Sequence, residues 1–161
     1  MKQLITMTIA LLMGVNLIAQ NRVSLSDFES LNNTSWKGKL IYKDYQSGKQ
    51  ESIDATMQIE LKNGKIVMNV QYTYEPSKNN KSSVKLRNDG TYFGNEKIEH
   101  FSNTNGTKTL VTSYVGKDNG KKANMRMTRT LTDSTYSVVK EVTYFGEEKS
   151  FVRNRYDYKK T

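Results

Sequence analysis

Side chains along most of this chain alternate between apolar and polar, and Asn-Gly or Asp-Gly pairs break the alternation at short intervals. Ile53, Ala55, Met57, Ile59 and Leu61 fall on one face; Asp54, Thr56, Gln58 and Glu60 fall on the other. Ile66, Met68, Val70, Tyr72 and Tyr74 repeat the pattern against Asn69, Gln71 and Thr73. Met125 and Met127 alternate with Asn124, Arg126 and Thr128, while Tyr136, Val138, Val142 and Tyr144 share a face with Lys140. A period of two is the signature of strands that bury one face and wet the other. The breaks come at Ser47-Gly48, Asn63-Gly64, Asn79-Asn80, Asp89-Gly90, Asn105-Gly106 and Asn119-Gly120. Asn-Gly and Asp-Gly tolerate the positive φ that tight hairpins demand.

The pattern predicts about nine strands, near 34–45, 50–61, 65–74, 82–87, 91–102, 107–116, 122–131, 135–145 and 149–158. A short helix precedes them, capped by Ser24 or Ser26, with Glu29 the capping-box partner of Ser26 and Phe28 and Leu31 its apolar contacts. Pro76 stands between two strand-like runs. Consecutive strands joined by tight turns form an up-and-down antiparallel meander. An open sheet of that size leaves two unpaired edges, and closure into a barrel of about 8–10 strands removes them. A two-sheet sandwich is the competing all-β architecture.

The first residues follow a different rule. Lys2 precedes an uncharged run from Leu4 to Ala19, and Gln20, Asn21 and Arg22 return the chain to polar character. A basic start, a short apolar core and a small residue at its end read as a cleavable signal peptide over 1–19. The run falls short of the roughly 20 apolar residues of a membrane-spanning helix. Residues 20–161 then form a single domain, long enough for a real core. The expected location is the periplasm or the exterior of the cell. The chain has no Cys, so an exported form has neither disulfides nor a lipid-anchor cysteine, and its core alone must hold it.

The 161 residues carry a formal charge of +9. Such a surface speeds encounters with anionic partners. The cations are dispersed, however: Lys37, Lys39 and Lys43 in one strand, Lys121 and Lys122 in a turn, Lys159 and Lys160 at the tail. No element concentrates aromatic and basic residues together, and export argues against nucleic acid as the partner.

Constellations that carry catalysis are mostly missing from the sequence. His100 is the single His, and no Gly-x-Ser-x-Gly elbow surrounds any Ser. It reads as an ordinary strand residue. One His without Cys supplies no usual zinc set. No phosphate loop occurs, Glu147-Glu148 reads as a turn tip beside Gly146, and the carboxylates show no paired spacing. The expectation is a protein without enzymatic activity and without a cofactor.

Two segments carry a resemblance. Residues 28–45 read FESLNNTSWKGKLIYKDY and residues 151–160 read FVRNRYDYKK. A helical lead-in followed by a Trp-Lys-Gly strand start, with an Arg-bearing closing strand, resembles the calycins, the lipocalin and fatty-acid-binding-protein group. Thr34 stands where the lipocalin pattern has Gly. The resemblance implies a lipocalin-like barrel in which Trp36 packs beneath Arg153 or Arg155 and ties the first strand to the last. A guanidinium over an indole face has the physical means to do so.

Together these readings describe an exported binding protein that holds a small apolar or amphipathic ligand, anionic forms included. Met57, Ile59, Met68, Val70, Tyr72, Tyr114, Met125, Met127 and Tyr136 are the expected pocket lining, apolar with a few hydroxyl donors. The alternative is a cell-envelope module that meets acidic glycan or lipid surfaces through a basic face. A membrane-spanning barrel is not expected, because its outer band would have to take Arg129 and Lys140 into hydrocarbon.

Overall fold

The computed structural model describes residues 21–161; the expected signal peptide lies outside them. A 3-10 helix over Leu25–Leu31 leads into ten strands, β1 Thr34–Lys43, β2 Gln50–Lys62, β3 Lys65–Tyr72, β4 Asn80–Arg87, β5 Tyr92–Phe93, β6 Glu96–Thr104, β7 Thr107–Asp118, β8 Lys121–Leu131, β9 Thr135–Tyr144 and β10 Phe151–Lys160. Each strand pairs antiparallel with the next, and β1 pairs with β10, so the meander closes into a barrel. The expected run 91–102 is two strands, parted at Gly94 and Asn95; Gly94 takes φ +65° and donates its N–H to Lys85. Pro76 starts a one-turn 3-10 segment, Pro76–Lys78, in the connection between β3 and β4.

The turns follow their residues. Asn63-Gly64, Asn105-Gly106 and Asn119-Gly120 each make a two-residue hairpin with positive φ at both positions, the geometry that matches the twist of the flanking strands. The lead-in helix starts at Ser24, whose N–H and hydroxyl donate to Asp27 Oδ2 at 2.7 and 2.9 Å. Asp27, not Glu29, is therefore the capping partner. Its carboxylate stands three residues beyond the cap, where it reaches back to the Ser24 N–H.

One end of the barrel is a closed floor. Trp36, Ile59, Ile66, Leu110, Leu131, Tyr136 and Tyr158 are buried there with Phe28 and Leu31 of the lead-in helix. Phe28 meets Phe93 with ring centroids 5.6 Å apart. The Val23 N–H donates to Gly90 O at 2.9 Å. Trp36 donates its indole N–H to Thr34 Oγ1 at 2.8 Å and packs on Tyr136 at 5.9 Å. Gly38 pairs with Tyr158 across the seam, and a Cβ there would meet Asp157 O at 1.9 Å. The close approach of β1 to β10 requires a glycine at this position. The cation over Trp36 is Lys160, at 6.0 Å, its register partner on β10. Arg155 lies five residues up the same strand and pairs on the outer wall with Asp157 at 2.6 Å. Arg153 stands at the opposite end of the barrel.

Candidate functional site

The other end is the mouth, and there the wall is incomplete. The β4–β5 ladder consists of Leu86–Phe93 and Arg87–Tyr92. The β6–β7 ladder ends at Lys97–Ser113. Among the described residues, β4 from Asn80 to Val84 and β7 from Tyr114 to Asp118 therefore have no strand on their facing edges. The two-residue β5 creates the opening, because it stops at the Gly94 turn. A cleft of about 1060 Å³ lies behind it, with Met68, Val84, Phe93, Tyr114, Met125 and Arg129 in its lining.

At the base of this cleft sits a charged pair with a hydroxyl between its members. Arg129 meets Glu96 at 2.9 Å, and its guanidinium also donates to Thr112 Oγ1 at 2.9 Å. The Thr112 hydroxyl donates to Glu96 Oε2. The guanidinium carbon lies 4.6 Å above the Phe93 ring. Arg129 is 12% exposed and Glu96 21%, so neither charge could be left alone cheaply. Their mutual neutralisation leaves a polar base without net charge, and the wall mixes apolar side chains with Ser83, Asn95, Lys97, Ser113 and Asn124.

A second cavity of about 730 Å³ opens through the mouth, with Leu40, Tyr42, Ile53, Tyr72, Lys140 and Asn154 in its lining. Asp118, at the end of β7, points inward and is 7% exposed. It accepts hydrogen bonds from the Tyr45 hydroxyl and from Tyr144 at 2.9 Å, and it meets Arg153 Nε at 3.3 Å. Arg153 stacks 4.3 Å over Tyr45 and donates to Lys43 O. Removal from water, then the bond to Asp118, push the Tyr45 hydroxyl far above its usual titration range. Lys140 faces the same interior between its register partners Met127 and Asn154. Among the described residues no carboxylate lies within ion-pair distance of it.

Between floor and mouth lies a group of tyrosines. Tyr72 and Tyr156 share a hydrogen bond of 2.7 Å, and Tyr156 stacks on Tyr158 at 5.8 Å. Burial pushes both the Tyr156 and the Tyr158 hydroxyls far up. The Tyr158 hydroxyl is buried without a hydrogen-bond partner among the described residues.

All nine residues expected to line a pocket stand on inward-facing strand positions, divided between the cleft, the mouth and the floor. Met68, Tyr114 and Met125 line the side cleft, and Tyr72 lines the mouth. Met57, Ile59, Val70 and Tyr136 are packed in the floor's hydrophobic cluster. Met127 is half-buried between Thr112 and Lys140. Arg129 and Lys140 face the interior, not an outer band. The cost of placing this barrel in hydrocarbon rests instead on outer-wall charges such as Lys37, Lys65, Lys85, Arg126 and Arg155, all exposed. Glu96, Thr112 and Asp118 were not legible as site residues. His100 is half-buried beside the register shift that separates Ile98 from it.

The arrangement defines a class: a closed ten-stranded antiparallel meander barrel with a packed floor, an open mouth and a lateral cleft. Among solved structures it is similar to Rv2717c from M. tuberculosis, known from its crystal structure. The TM-score is 0.57 at 10% sequence identity, over 85% of this chain and 96% of that one. A likeness at that identity concerns the fold. No protein-family profile and no curated protein matches the chain.

Proposed function

We propose that this protein is an exported binding protein that holds a small amphipathic molecule in the mouth half of its barrel without transforming it. The observation that carries the reading is the lateral cleft, where Met68, Val84, Phe93, Tyr114 and Met125 surround the Glu96–Arg129 pair. An apolar wall with a few fixed polar groups is the usual composition of a small-molecule site. The ligand's apolar body lies against the methionines and aromatic rings, and its polar end reaches the Arg129–Thr112 base or Lys140. Lys140, which faces the barrel interior, is placed to receive an anionic head, and Lys78 lines the same cavity; Arg129 is already neutralised. The Trp36–Gly38 start and the meander support distant kinship with the calycins, with Lys160 in the place expected of an arginine.

Displacement of a fluorescent fatty acid such as cis-parinaric acid tests the reading. Val84→Trp puts a large ring into the cleft from a half-buried position, and it should weaken binding about ten-fold or more by filling the site. Lys140→Met should weaken a carboxylate probe while sparing its neutral alcohol analogue. Absence of displaceable binding in the unmodified protein, with either probe, would refute the proposal.

A further inference from the structure

Four large apolar side chains are exposed among the described residues: Tyr74, Val115, Phe145 and Val152, between 49% and 78% exposed. All four stand at the mouth. Tyr74 follows β3, Val115 lies near the upper end of β7, Phe145 follows β9, and Val152 is the second residue of β10. The floor end has none. Around the rim, lysines sit directly on aromatic rings. Lys122 lies 4.6 Å from the Phe145 ring centroid, Lys121 lies 5.2 Å from Tyr144, and Lys43 lies 5.5 Å from Phe151. The Phe145 N–H donates to Lys122 O, so the loop after β9 is clipped to the start of β8. On these two connections Lys117, Lys121, Lys122 and Lys149 outnumber the exposed carboxylates Glu147 and Glu148, and Asp118 is turned inward onto Arg153.

We propose that the mouth rim docks on the surface of an anionic lipid bilayer. Aromatic and apolar side chains interleaved with lysines are what the headgroup boundary accepts: rings at the interface, ammonium groups among the phosphates. The barrel carries a second basic surface that serves as an internal comparison. Lys62, Lys65 and Lys85 form one cross-strand row on the outer face of β2, β3 and β4, toward the floor. That row has charge but no exposed large apolar side chain beside it. Charge complementarity alone would favour either surface; the apolar rim selects the mouth. This docking does not depend on the ligand reading, although it would set the mouth cavity against the membrane.

The test is co-sedimentation with equimolar phosphatidylglycerol–phosphatidylcholine vesicles at low salt. A chain of residues 21–161 suffices, since it contains all ten strands of the closed ring. Binding should fall by roughly ten-fold or more in Phe145→Ser/Lys121→Glu/Lys122→Glu, and it should weaken with added salt. Lys65→Glu/Lys85→Glu should bind as the unmodified protein does. Thermal melts establish that each variant is folded; if the rim triple variant is not, Lys121→Ser/Lys122→Ser replaces it, with several-fold weaker binding expected. No binding to anionic vesicles, equal binding to pure phosphatidylcholine, or loss in the floor variant with retention in the rim variant would each overturn the proposal.

Discussion

Floor and mouth are the two ends of the same strands, and the same two-residue alternation runs through both, yet they are filled differently. At the floor, inward positions hold Trp36, Ile59, Ile66 and Leu131, all buried, and the lead-in helix covers what the strands leave open. At the mouth, the inward positions hold Asp118, Lys140 and Asn154, and β5 stops after two residues. Alternation fixes which way a side chain points; the neighbours it meets inside decide whether that position is core or site.

The largest difference should appear in stability. Trp36→Ala removes a floor side chain that is 2% exposed and should cost about 3–5 kcal/mol. Tyr114→Ala, at the half-buried cleft wall, should cost well under half of that, read by urea unfolding of both variants. Equal losses would erase the contrast between the ends.

The Glu96–Arg129 pair belongs to the cleft but should behave like core when broken. Arg129→Met leaves a poorly hydrated Glu96 and should cost about 3 kcal/mol. Arg129→Met with Glu96→Gln should restore most of it, because no unpaired charge remains. A double variant no better than the single one would mean that packing, not charge, dominates there.

Alkaline pH separates the ends less sharply. The folded state raises the Tyr45, Tyr156 and Tyr158 hydroxyls above the ordinary value of 10.0. Their contribution is therefore complete below pH 10 and is lost as pH rises above it, when the unfolded chain ionises first. Stability should fall steadily above that point, and Tyr45→Phe should flatten the mouth's share of the fall. Smallest of all, Tyr158→Phe should change stability by less than about 0.5 kcal/mol, since its hydroxyl has no partner. Tyr72→Phe, which breaks a hydrogen bond to Tyr156, should cost about 1 kcal/mol.

The barrel was readable in the sequence because its determinants are local. Asn63-Gly64 and Asn119-Gly120 announce their turns, and the Met57-to-Leu61 alternation announces its face. The site was less readable because its determinants are set by register. Glu96 and Arg129 are 33 residues apart, on β6 and β8, and are brought together across β7, where Thr112 bonds to both. Asp118 shares the inward face of Tyr114 by alternation, but it stands next to an Asn-Gly turn, a position that usually faces water, and nothing local reveals its bonds to Tyr45 and Tyr144. Arg153 and Arg155 carry the right chemistry to cover Trp36. Position along β10 gives that place to Lys160.

The proposal that the mouth half, and not the packed floor, holds the ligand is tested most directly by amide and side-chain NMR of residues 21–161 titrated with oleate. Saturable shifts should gather on Met68, Tyr114, Met125 and Lys140, while the Trp36 indole and Tyr136 stay fixed. Shifts centred on Trp36, or a spectrum that oleate leaves unchanged, would contradict it.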